Sequence, residues 1–148
     1  MGLTNMHMTI AQQLNIQQFP FSIKNEAGQE IYCEYENGYW FKREYNGKNR
    51  ITRYEDSDGD WRSYEYDSHG NMICCKDANG YWDKREYNAN GKEIRLETSS
   101  GFCSTWEYDA NGNDARYKTS DGYWEQWEYD ADGVLVYHET SEGVQFDK

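Results

Sequence analysis

The segment DANGNDARYKTSDGYWEQWEY, residues 109–129, is one copy of a unit that recurs in tandem from residue 25 to the end of the chain. The other copies are residues 25–45, 46–66, 67–87 and 88–108, with a truncated sixth at 130–148, and each full copy is 21 residues long. A fixed period of this length implies one supersecondary unit per copy, stacked so that each contacts mainly its neighbours. Within a copy, two runs rich in Tyr, Trp, Ile and Thr are separated by turns ending on Gly, and no proline occurs after Pro20. That is a β-hairpin pattern. The expected fold is therefore all-β: an antiparallel meander of about six 21-residue hairpin repeats, forming a curled or dimeric sheet.

The first turn of each unit closes on Gly38, Gly59, Gly80, Gly101, Gly122 or Gly143. Its length decides which side chains share a face, because a shift of one residue exchanges the two faces of a strand. A two-residue turn mixes charged and apolar groups on both sides. A three-residue turn, with Gly in the left-handed conformation, sorts them. One face then carries Ile31, Ile73, Ile94, Ala115 and Val136, with Cys33, Tyr54, Cys75, Leu96 and Tyr117, a column of Tyr39, Tyr81, Phe102 and Tyr123, and the column from Tyr45 to Tyr129. The other face carries Glu44, Glu65, Glu86, Glu107 and Glu128, together with Arg53, Arg95, Arg116 and the tryptophans Trp40, Trp61, Trp82 and Trp124. Asp56, Asp77, Arg43, Arg85 and Glu125 fall on the apolar side near its margins, where long side chains can snorkel to water.

Only 36% of residues are apolar, so a core must come from the 14 Tyr, 6 Trp and 5 Phe. The formal charge of -12 excludes free nucleic acid as a ligand, since binding it needs Lys and Arg against phosphate, and points to a partner with a basic surface. The acid is uneven. The three central units carry -1 each, residues 25–45 and 109–129 carry -3 each, and the last fragment, with Asp130 and Asp132, carries -4.

Residues 1–24 differ from the array at 25–148. They hold no charge before Lys24, which leaves them without the basic start of a signal peptide, and their apolar runs are too short to span a membrane. Ile10, Ala11 and Leu14 stand at helical spacing, and Phe19-Pro20-Phe21 ends that pattern, so this segment is expected to form a short helical cap. Cys33 and Cys75 occupy a column otherwise held by Tyr or Leu, Cys103 replaces a Trp, and no CxxC spacing occurs. A reduced, cytoplasmic protein is expected.

No catalytic constellation stands out. His7, His69 and His138 are scattered, and the Asp-rich turns at 56–60 and 109–112, which open like calcium loops, lack the bidentate Glu of an EF-hand; Asp, Asn and Gly form turns in their own right. A non-enzymatic protein with no cofactor and no metal is expected. The candidate partner-binding residues are the acidic column Glu44, Glu65, Glu86, Glu107 and Glu128 with Asp130 and Asp132, and the aromatic column Trp40, Trp61, Trp82 and Trp124. Two readings of the Trp column stand side by side: an exposed binding stripe, or the lining of a curled sheet.

The tetrads YDSHGN, YDANGN and YDADGV, each following a Gly-aromatic strand at a period of 21, resemble the YD repeats of Rhs and teneurin proteins. That resemblance implies antiparallel hairpins laid side by side, which in long members spiral into a shell around a toxin; six units are too few to enclose a cargo. The Asn-Gly turns also look like MORN-type antitoxin repeats, and DGYWEQWEYDADGVL is similar to choline-binding or glucan-binding cell-wall repeats. Short acidic repeat proteins of this type look like accessory proteins of phages and prophages. The leading expectation is a phage or prophage inhibitor that occupies a basic nucleic-acid-binding surface on a host defence or nucleic-acid-processing protein. A carbohydrate or cell-wall binding module and an antitoxin-like immunity protein are the alternatives.

Overall fold

The computed structural model describes residues 8–147, and side chains as far as Gln145. Ahead of the array stand a one-turn helix, α1 (Ile10–Gln13), and β1 (Phe21–Lys24). The repeats form β2 (Glu30–Glu34), β3 (Trp40–Tyr45), β4 (Ile51–Asp56), β5 (Trp61–Tyr66), β6 (Met72–Asp77), β7 (Trp82–Tyr87), β8 (Glu93–Thr98), β9 (Cys103–Tyr108), β10 (Asp114–Thr119), β11 (Trp124–Tyr129), β12 (Leu135–Thr140) and β13 (Gly143–Asp147). The 13 strands are antiparallel neighbours in sequence order from β1 to β13, with no pairing that joins the last to the first. The chain divides into two compact units, Met1–Ser63 and Tyr64–Lys148.

The first turns have the expected length. Tyr35 and Tyr39 pair around residues 36–38, with Gly38 at φ 85, and Asp56 and Asp60 pair around residues 57–59, with Gly59 at φ 87. The last turn is an exception that corrects the expectation. Thr140 pairs directly with Gly143, which leaves a two-residue turn and places Gly143 (φ 128) inside β13. The second turns also have three residues. Asp109 pairs with Asn113 around residues 110–112, while its Oδ1 accepts the amides of Asn111 and Asn113, both at 2.8 Å. Asn25, Asn46, Asn88 and Asp130 make the same pair of bonds. The column of Asp and Asn is thus explained by turn formation. In the copy that reads Asn46-Gly47-Lys48-Asn49, Asn49 takes the positive φ of 62, a conformation Asn tolerates better than most residues.

Five of the copies show a bulge. Glu86 pairs with Arg95 and Tyr87 with Glu93, so Ile94 is passed over; Thr52, Ala115 and Val136 are passed over in the same way, as is Ile31 opposite β1. An extra residue on one strand re-aims the side chains beyond it. The expected placement of Ile73 and Ile94 beside Cys75 and Leu96 is corrected accordingly. Both isoleucines line a depression with Cys74, Lys76, Lys84, Arg85, Glu86 and Tyr87. The place before the bulge instead delivers Glu30 to Arg43 at 3.3 Å and Glu93 to Arg85 at 3.6 Å.

These ion pairs show that the charged residues on the Tyr-bearing face do not snorkel. In the first unit, Asp56 is buried and accepts the hydroxyls of Tyr39 and Tyr54 at 3.2 and 3.1 Å, while the Arg43 guanidinium lies 4.2 Å from the centroid of buried Phe41. In the second, buried Asp83 accepts from Arg85 at 3.2 Å, and the His138 imidazole meets Glu125 at 2.8 Å while stacking on Trp127 with centroids 5.3 Å apart. Trp106 packs on Tyr117 at 4.5 Å. The core of this thin sheet is therefore aromatic rings and paired charges, with apolar burial confined to a few side chains such as Cys33 and Phe41.

Candidate functional site

Within each unit the register places the Glu and Trp candidates on the same face. In β7, Trp82 stands opposite Lys76, Lys84 opposite both Cys74 and Glu97, and Glu86 opposite Arg95. In β9 to β11, Glu107 stands opposite Arg116, and Trp124 opposite Lys118. Glu44, in the first unit, and Glu65, Glu86, Glu107 and Glu128, in the second, are all exposed. Within the second unit, a period of one per repeat puts neighbours about 10 Å apart for strands spaced at about 4.8 Å.

The column is not uniformly compensated. Glu86 is 3.9 Å from Arg95, and Glu107 is 4.0 Å from Arg116. Contacts this long and exposed contribute roughly 0 to 1 kcal/mol. Among the described residues, Glu65 and Glu128 have no ion-pair partner. Glu128 stands opposite Tyr137, and the exposed turn beyond it carries Asp130 and Asp132. One oxygen of Asp130 serves its own turn by accepting from Asp132 and Val134. Glu125, three residues before Glu128, points to the other face and is held by His138.

The tryptophans are half-buried, between the two readings of the sequence. Lys42 Nζ lies 4.6 Å from the Trp40 ring, the Arg53 guanidinium 5.5 Å from Trp61, and Lys84 Nζ 5.2 Å from Trp82. Cations over indole rings are ordinary support, and they cover the faces that a stacking ligand would use. The main chain of the column is built in as well. Trp40, Trp82 and Trp124 carbonyls accept the amides of Ser57, Ser99 and Ser141 at 2.8–2.9 Å, which ties each strand to the next turn.

Sequence reasoning missed Glu34. It falls in a column of mixed Glu and Lys, yet it is buried and accepts from Thr9 Oγ1 at 2.5 Å, the Ala11 amide at 3.0 Å and Tyr32 Oη at 2.7 Å. Burial alone would raise its pKa; the three hydrogen bonds outweigh that and hold the carboxyl below its ordinary value. Tyr32 is pushed above its usual value by burial and by the same carboxylate. Thr9 caps α1 through a reciprocal pair with Gln12. Only the Thr-x-x-Gln spacing ahead of Ala11 could have pointed to this contact.

The arrangement offers a charged, half-aromatic surface. No group of three or more His, Cys, Asp or Glu among the described residues could hold a metal ion, and no helix among them is long and apolar enough to cross a membrane.

No protein-family model and no curated protein matches the chain. Among solved structures it is similar to a chain of the TcdB2–TccC3–Cdc42 complex, with a TM-score of 0.61 at 14% identity over 79% of this chain and 7% of that one. It is also similar to a chain of TcdB2–TccC3 (0.60, 14%, 80% and 7%) and to one of the Photorhabdus luminescens Tc holotoxin pore (0.57, 17%, 72% and 6%). The chain spans less than a tenth of the length of each. At such identities the likeness shows the fold alone: a repeated antiparallel hairpin sheet.

Proposed function

We propose that the chain is a non-enzymatic binding module whose exposed glutamate column receives a basic surface of another protein. One observation carries this reading. Glu65, Glu86, Glu107 and Glu128, one per repeat, stand exposed in the second unit of a chain with net charge -12, and the column is least compensated where Glu128, Asp130 and Asp132 continue it. Such a surface steers a cationic partner into contact and raises its association rate. The partner class with the most basic surface is one that otherwise holds nucleic acid, so the module acts as an inhibitor there: a phage or prophage protein working in the host cytoplasm against a defence or nucleic-acid-processing factor.

The half-buried Trp column offers this binding support from beneath, and the cations over Trp40, Trp61 and Trp82 leave poor stacking faces for sugar. The test is capture from lysate of the host on immobilised protein, in low and high salt and with competing DNA. The reading expects a basic nucleic-acid-binding protein that is released by salt and by DNA. Retention on cell-wall polysaccharide in high salt, or capture of a toxin alone, overturns it in favour of a wall-binding module or an immunity protein.

A further inference from the structure

In the first unit, Ile10 of α1 sits at a depression lined by Ile23, Ile31, Tyr32, Lys42, Glu44 and Tyr45. Two repeats on, 42 residues later, the corresponding positions are Glu65, Ile73, Cys74, Lys84, Glu86 and Tyr87, and they line a depression of the same kind in the second unit. Every residue lining the second depression belongs to β5 to β8 or to the turn after β5. No helix among the described residues lines it. Its apolar lining is buried Cys74 with half-buried Ile73 and Ile94, and Glu65, Lys76, Lys84 and Glu86 stand around them.

The two depressions differ at Ile23 and Tyr32, which become Glu65 and Cys74, and where α1 begins. Glu34, which accepts the Thr9 hydroxyl and the Ala11 amide, is replaced 42 residues later by Lys76. Lys76 is exposed and has no ion-pair partner among the described residues. An ammonium donates and cannot accept, so an occupant seated like α1 must bring an acceptor where α1 brings a hydroxyl. Aspartate meets both demands, since it caps a helix N-terminus well and carries the charge opposite to Lys76.

We propose that this depression docks the start of a helix of a partner protein, opening on Asp followed directly by an aliphatic residue. The aliphatic side chain takes the place of Ile10 over Ile73 and Ile94, and the Asp carboxylate reaches Lys76. Glu65 and Glu86 of the acidic column border this depression; the docking goes beyond that reading and rests on Ile73, Ile94 and Lys76.

The probe is a fluorescently labelled peptide with the sequence of residues 6–17 carrying Thr9→Asp, titrated with the whole protein and followed by anisotropy, beside the same peptide with native Thr. The Asp peptide binds saturably, and Lys76→Glu or Ile73→Ser weakens it about tenfold, the loss of one paired charge or one apolar contact. Lys76→Glu also recreates the acceptor of the first unit, so it strengthens the native Thr peptide about fivefold. Lys118→Glu, on the same face in β10, changes neither. Melting curves check that each variant is folded. Absence of saturable binding, equal binding of both peptides, or binding insensitive to either substitution overturns the proposal.

Discussion

Glu34 and Ala11 are joined by a 3.0 Å bond from a main-chain amide to a buried carboxylate, across 23 residues of sequence. With the Thr9 and Tyr32 hydroxyls on the same group, this one side chain fixes α1 to β2. Glu34→Ala leaves three donors with no acceptor and should lower unfolding free energy by about 2 to 3 kcal/mol in urea titrations. Thr9→Ala should cost about 1 kcal/mol. Because both act through one contact, the double variant should cost clearly less than the sum of the two.

The same hydrogen bonds set the acid limit of the fold. Burial raises the pKa of Glu34, Asp67 and Asp109, but in each the hydrogen bonds prevail and hold the folded value below the ordinary one. A depressed folded pKa contributes stability that is fully present above the unfolded value, about 4 for these groups, and is lost as pH falls through the folded one. The melting temperature should therefore be flat with respect to these groups near neutrality and fall below about pH 4. Glu34→Gln should flatten part of that fall.

Backbone conformation separates two glycines. Gly101 has φ 84 with open space around its Cβ position, so its substitution is limited by conformation alone. Gly101→Ala should cost about 1 to 2 kcal/mol. Gly47 also has open space and no positive φ, the left-handed place in its turn being taken by Asn49, so Gly47→Ala should be neutral or stabilise by up to about 1 kcal/mol. Chemical denaturation of the two variants checks the pair.

Neighbouring acids should likewise part company. Glu125 is half-buried on His138, and Glu128 is exposed opposite Tyr137. Glu125→Gln should lower the melting temperature, whereas Glu128→Gln should leave it unchanged within error, since exposed substitutions away from such contacts change stability by less than about 0.5 kcal/mol.

Much of the array was legible because its local rules repeat. The Gly that ends each turn and the alternation around Trp82, Lys84 and Glu86 determine turn length and register, and both depend on neighbours within a few residues. What escaped depends on offsets and distant contacts. The bulge at Ile94 leaves no mark on the period, since a three-residue second turn and the passed-over residue together fill the unit. Gly143 reads like the five glycines before it, yet its turn closes one residue early. The buried roles of Glu34 and Asp83 are invisible in columns of mixed polar residues because their partners, Thr9 and Arg85, lie on another element or face a cluster that only the register assembles. For the candidate site, the exposure of the Glu column followed from alternation, while the cations over Trp40, Trp61 and Trp82 depend on cross-strand and diagonal neighbours.

The most direct test of the acidic column is the association rate of the captured basic partner with the native protein and with a variant carrying Glu65→Gln, Glu107→Gln, Glu128→Gln and Asp132→Asn, measured across salt concentration. Exposed charges are screened over about 8 Å at physiological ionic strength, so the native rate should fall steeply with salt. The variant, folded as judged by its melting curve, should associate at least about tenfold more slowly in low salt and with a shallower salt dependence. Equal rates and equal salt slopes for the two proteins would contradict the account.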